Sequence, residues 1–178
     1  MGDIAEHPSA GDGRDPRPVR ADDIVAEVLR MMGAGTVAEL YRARVLEQRT
    51  RRFDIGAAKG TAAVEILHTL LGIELKIGRR RLLCPDLATA RYLRVFARLG
   101  VAEVAVPYDI TQVSRIADEL ESAWHRTLLL SEHGVAGRSD RVRALVRARL
   151  VARARAEVEA LGAGAARPTF VQHTRQRR

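Results

Sequence analysis

The sequence predicts an α/β fold: an open, mainly parallel sheet with flanking helices, two helices before it and an arginine-rich helix at the C-terminus. Three observations carry that expectation. From residue 51 onward, short aliphatic runs alternate with amphipathic segments of helical length. Gly72, Pro85, Gly100 and Pro107 punctuate those runs. Asp54, Asp86, Asp109 and the stretch Ser131 to Gly134 each follow a predicted strand, at the edge where open parallel sheets bind ligands.

Residues 1–20 mix Gly, Pro, Asp and Arg without periodicity and are expected to form a disordered tail. Ile24, Val25, Val28, Leu29 and Met32 recur at helical spacing, and Gly33-Ala34-Gly35 stops that helix. Thr36 and Glu39 have the spacing of a capping box, opening a second helix with Leu40, Val45 and Leu46 inward. Arg51 to Ile55 is the first expected strand. Ala63, Ile66, Leu67 and Leu70 then fit one face of a helix over 61–71, closed by Gly72.

Ile73 to Ile77 alternates like a half-buried strand, and Arg81 to Cys84 is a second short one halted by Pro85. Asp86 caps a helix whose core face holds Leu87, Ala90, Leu93, Phe96 and Ala97, with Gly100 just past its end. Val101, Val104 and Val106 form a strand ended by Pro107. Asp109 opens a helix with Val113, Ile116, Ala117, Leu120 and Trp124 in register, and Thr127 to Leu130 reads as a further strand. The last helix spans about Asp140 to Leu161, its arginines falling on several sides. Thr169 to Gln172 is a candidate edge strand and Arg175 to Arg178 a tail. The chain thus divides into a tail (1–20), a single α/β domain (21–137) and a basic helix with its own tail (138–178).

The net charge of +8 is unevenly placed. From Arg138 onward there are eleven arginines against Asp140, Glu157 and Glu159, which is 11 − 3 = +8; residues 1–137 are neutral. Arg141, Arg143, Arg147, Arg149, Arg153 and Arg155 are therefore the candidate contacts to RNA or DNA phosphates. Aromatics make up only 4% of the chain, too few to suggest a base-stacking platform. The single cysteine, Cys84, excludes an internal disulfide and a cysteine-based zinc cluster, and the five histidines show no metal-binding spacing. No metal site and no membrane span are expected, and the location expected is cytoplasmic.

The run Asp54-Ile-Gly56-Ala-Ala58-Lys-Gly60, a strand end entering a small-residue turn, resembles the first motif of the class I S-adenosylmethionine-dependent methyltransferases, with alanine for one glycine. That resemblance, over about residues 51–134, implies a Rossmann-like fold with S-adenosylmethionine as cofactor. It places Asp54, Gly56 and Gly60 against the cofactor, Asp86 on the ribose hydroxyls and Asp109 on the adenine. Glu132 and His133, after the fourth strand, would stand near the methyl acceptor, which the basic C-terminus suggests is nucleic acid. His133 suits a general base because imidazole titrates near neutrality.

Two other readings fit the same residues. In the first, helices at 22–32, 37–49 and 59–71 and a hairpin over 73–83 resemble a winged-helix module, a non-catalytic nucleic-acid-binding protein with Arg79, Arg80 and Arg81 at the wing tip. In the second, Glu65 with Glu74-x-Lys76 resembles the acidic and E-x-K elements of restriction-endonuclease-like, metal-dependent nucleases. Read alone, the glycine turn also fits a plain connection between two helices.

Overall fold

Aspartates in the first turn, an arginine in the last and an apolar stripe at Ile24, Val28 and Met32 specify the first helix, α1 (Ala21–Met32). The computed structural model describes residues 20–56 and 63–164. The expected N-terminal tail over 1–19, Gly60, the strand at Thr169 to Gln172 and the tail Arg175 to Arg178 lie outside them. A 3₁₀ turn (Gly33–Gly35) leads to α2 (Val37–Leu40), where the Thr36 hydroxyl accepts the Glu39 N–H. The helix widens to π geometry over Tyr41–Leu46, which keeps Tyr41 and Val45 inward.

Two small antiparallel sheets follow. β1 (Thr50–Asp54) pairs with β5 (Glu103–Pro107), with Thr50 opposite Pro107 and Asp54 opposite Glu103. β2 (Val64–Thr69), β3 (Gly72–Ile77) and β4 (Arg80–Cys84) form a meander with β3 central. One face of the meander, with Val64, Leu75, Ile77 and Cys84 buried, belongs to the main core with α3 (Leu87–Leu99). Asp86 caps α3 through the Thr89 N–H at 2.6 Å, and Gly100 ends it at φ 76°, a left-handed conformation suited to glycine.

α4 (Ile110–Gly134) packs along α3, and α5 (Asp140–Leu161) lies against α1, α2, α3 and α4. The main core gathers Tyr92, Leu93, Phe96, Val104, Val106, Ile116 and Leu120, all essentially inaccessible. A smaller cluster of Ile24, Val28, Val135, Val146 and Leu150 joins α1 to α5.

The architecture is therefore α+β, which corrects the expected mainly parallel α/β sheet. β1 is a strand, as the sequence suggested, but it runs antiparallel to β5. The sheet stops there because side chains occupy the other edge of β5: Ala105 N–H donates to the Tyr41 hydroxyl at 2.7 Å, and the Tyr92 hydroxyl donates to Ala105 C=O at 2.5 Å. Two tyrosines thus satisfy the groups that a further strand would have bonded.

Two segments differ in kind from their expected form. The region over 61–71, expected as a helix, holds strand β2, since Val64 and Ile66 also alternate and pair with Ile77 and Leu75. Thr127 to Leu130, expected as a strand, is the interior of α4. There the Thr127 hydroxyl donates back to Ala123 C=O at 2.9 Å, and the Ser131 hydroxyl to Leu128 C=O at 2.7 Å, so both polar side chains join the helix.

Candidate nucleic-acid interface

The antiparallel ribbon separates the acids that the methyltransferase resemblance brings together. Asp54 sits at the Glu103 end of the ribbon, whereas Asp109 follows Pro107 at the Thr50 end. Four residue intervals at about 3.4 Å each already put these ends on the order of 14 Å apart. Each acid is also engaged locally. Asp54 accepts the Gly56 N–H at 2.7 Å, Asp86 caps α3, and Asp109 accepts the Thr111 N–H at 3.0 Å and its hydroxyl at 2.6 Å. The Thr111 hydroxyl, and then its N–H, hold the Asp109 carboxyl below the ordinary carboxylate value.

Gly56 adopts φ 79°, and a Cβ there would overlap the Arg80 guanidinium, so an arginine covers the glycine surface expected to face a cofactor. Glu132 and His133 stand exposed in the last turn of α4 rather than beyond a strand. An open groove of about 460 Å³ between α1, α2 and α5 is lined by Leu29, Thr36, Glu39, Arg153 and Glu157, among others, and by none of the residues that the methyltransferase resemblance singled out.

The other two readings are also reshaped. Because residues 64–69 are a strand, the third helix expected over 59–71 does not form there, but the hairpin assigned to the wing exists as β3–β4. Glu65, Glu74 and Lys76 do share one face of the meander, since Glu65 lies opposite Lys76 and the two residues 74 and 76 are two apart. Each carboxylate there already has a cation: Lys76 to Glu65 at 3.1 Å, and Arg81 to the buried Glu74 at 3.3 Å. Among the described residues no group of three His, Cys, Asp or Glu side chains could hold a metal ion.

Cys84 is buried, and burial pushes its thiol up to about 11, with the nearby Asp86 charge adding to the shift and a Leu75 main-chain hydrogen bond opposing it. Iodoacetamide at pH 9 is expected to label the native chain far more slowly than the urea-unfolded chain; equal rates would show the thiol accessible. Between pH 9 and about 11 the unfolded thiol releases its proton while the native one keeps it, so this group lowers stability as pH rises through that window. Burial raises the hydroxyl values of Tyr41 and Tyr92 in the same sense.

The six arginines singled out on α5 have unequal roles. Arg149 pairs with Asp22 of α1, Arg153 with Glu157 at 2.6 Å, and Arg143 with Asp140 at 3.7 Å. Arg155 Nε donates to Leu99 C=O at 2.7 Å, with its guanidinium lying over Gly100, so it caps the end of α3. Arg141 and Arg147 are exposed and have no ion pair among the described residues.

α3 supplies arginines that the charge count on the C-terminal segment overlooked. Arg91 and Arg94 both pair with Glu121 of α4, and Arg91 also with Asp118 at 2.7 Å. One turn further, Arg98 is an exposed residue whose guanidinium is nonetheless partly desolvated. That desolvation, then repulsion from Arg94 and Arg147, holds it below the ordinary arginine value, while Glu121 acts in the opposite sense. The spacing 91, 94, 98 was a legible signal, because those positions share one face of a helix.

No helix among the described residues is long and apolar enough to cross a membrane. No protein-family model matches the chain, and no curated protein or solved structure matches it either.

Proposed function

We propose that this chain is a non-catalytic nucleic-acid-binding protein that holds the phosphate backbone through arginines of α3 and α5. The observation that supports this reading is the exposed Arg98, whose charged form is disfavoured by its partial desolvation and by the like charges of Arg94 and Arg147. Of the acids that act on Arg98, only Glu121 offsets them, and it is shared with Arg91 and Arg94. A phosphate oxyanion supplies the missing negative charge, and the guanidinium plane matches it with two parallel hydrogen bonds.

Backbone neutralisation releases counterions, so the signature is salt dependence. Fluorescence anisotropy on a labelled oligonucleotide, from 50 to 200 mM salt, is expected to show log K falling steeply with log salt. Arg98→Ser with Arg147→Ser is expected to flatten that slope by about 1.8, roughly 0.9 for each phosphate contact removed. An unchanged slope and affinity in the double variant would remove the basis of this reading.

A further inference from the structure

Basic side chains also gather at the turn between β3 and β4. Ile77 pairs with Arg80, leaving Gly78 and Arg79 as the two turn residues. Gly78 takes φ 58° and Arg79 a negative φ, the pattern of a type II′ turn, which glycine in first position permits. Arg81 is held by Glu74, but Arg79 and Arg80 are exposed and have no ion pair among the described residues.

This turn is joined to the helical arginines by a short series of contacts. The Arg80 guanidinium covers Gly56, whose N–H donates to Ala102 C=O at 3.1 Å. Two residues before Ala102, Gly100 carries the Arg155 guanidinium, and Arg98 precedes it on α3. Of the acids near this path, Glu103 faces Arg52 at 3.4 Å, Asp54 accepts the Gly56 N–H, and Glu159 lines the same shallow groove as Ala102.

Among the described residues, no exposed aromatic ring lies along this path for bases to stack on. Tyr41, Tyr92, Phe96 and Trp124 are buried, and Phe53 packs against the core. The one exposed aromatic among the described residues, Tyr108, holds the Arg49 guanidinium 5.0 Å from its ring centre, at the far end of the β1–β5 ribbon. Single strands are gripped through aromatic stacking, whereas a duplex keeps its bases paired and offers only backbone and grooves.

We infer that the β3–β4 turn, through Arg79 and Arg80, is a second arm of the arginine surface on α3 and α5, and that the ligand spanning both arms is a nucleic-acid duplex held by its backbone. This rests on the nucleic-acid reading above and names its substrate class. The test compares the full chain, Arg79→Ser/Arg80→Ser and Arg98→Ser/Arg147→Ser, by anisotropy on a 20-base-pair DNA duplex and on one of its strands, from 50 to 200 mM salt.

The turn variant is expected to flatten the duplex salt slope by about 1.8, and the unaltered chain to bind the duplex more tightly than the single strand. Arg80 packs on Gly56, so Arg79→Ser alone serves as the second variant, with an expected change of about 0.9 and an unchanged melting temperature. An unaltered slope in both turn variants, with a flattened slope in the helix variant, overturns the second arm and leaves the proposed function standing. Tighter binding of the single strand overturns the duplex assignment. No salt-dependent binding by the unaltered chain overturns both.

Discussion

Replacing Phe96 by alanine is expected to cost about 3–5 kcal/mol, the range for removing a fully buried aromatic side chain. Phe96 is inaccessible to solvent and lies between two other rings, with its centre 5.2 Å from that of Tyr41 and 5.1 Å from that of Tyr92. Alanine removes the hydrophobic transfer energy, leaves a cavity and loosens the edge-on contact with Tyr41 and the tilted one with Tyr92. A domain of this size has roughly 5–15 kcal/mol in all, so the loss is a large share of the total. Urea unfolding followed by circular dichroism reads the effect as a lower midpoint with an unchanged slope. A loss below about 1 kcal/mol would show that the ring is not packed as described.

The second large effect concerns the hydroxyls rather than the rings. Tyr41→Phe removes the acceptor for the Ala105 N–H and the donor to Gly162 C=O, 2.9 Å away. Tyr92→Phe removes only the donor to Ala105 C=O. Each orphaned buried group costs about 1–3 kcal/mol. Tyr41→Phe is expected to cost more, because an N–H has a single bonding site whereas a carbonyl tolerates partial satisfaction. Native-state hydrogen exchange of the Ala105 amide is a direct second readout, with protection expected to drop in Tyr41→Phe. Equal stability of both variants and the parent chain would mean that the edge of β5 is hydrated and the tyrosines do not close it.

Those tyrosines explain how the sheet came to be misread. Val101 to Val106 is nearly all apolar, as a strand buried between two neighbours in a parallel sheet is. β5 is buried from Val104 to Pro107 with only one strand beside it: its side chains join the main core, β1 covers one edge, and tyrosine hydroxyls bond Ala105 on the other. The aliphatic content of a strand reports its burial and carries no information on what lies beside it. The adenosylmethionine site followed from that sheet, because Asp54, Asp86 and Asp109 converge only if their strands run in parallel. All three are instead the local hydrogen-bond acceptors that aspartate commonly becomes at turns and helix starts.

Where a segment's structure depends on its own residues, the sequence was sufficient. The periodicity of α1, the Thr36 and Asp86 caps and the Gly100 terminus all follow from spacing and capping chemistry within a few residues, and the bounds expected for α5 also match. The concentration of arginine beyond residue 138 was equally plain. Contacts distant in the chain decided the rest. Residues 64–69 satisfy both a helical and a strand pattern, and pairing with β3 selects the strand; Thr127 to Leu130 could be either, and packing of α4 selects the helix. Tertiary structure likewise made Arg155 a cap for α3 and set Arg98 beside Arg147, since no local pattern tells an arginine which carbonyl or charge it will meet.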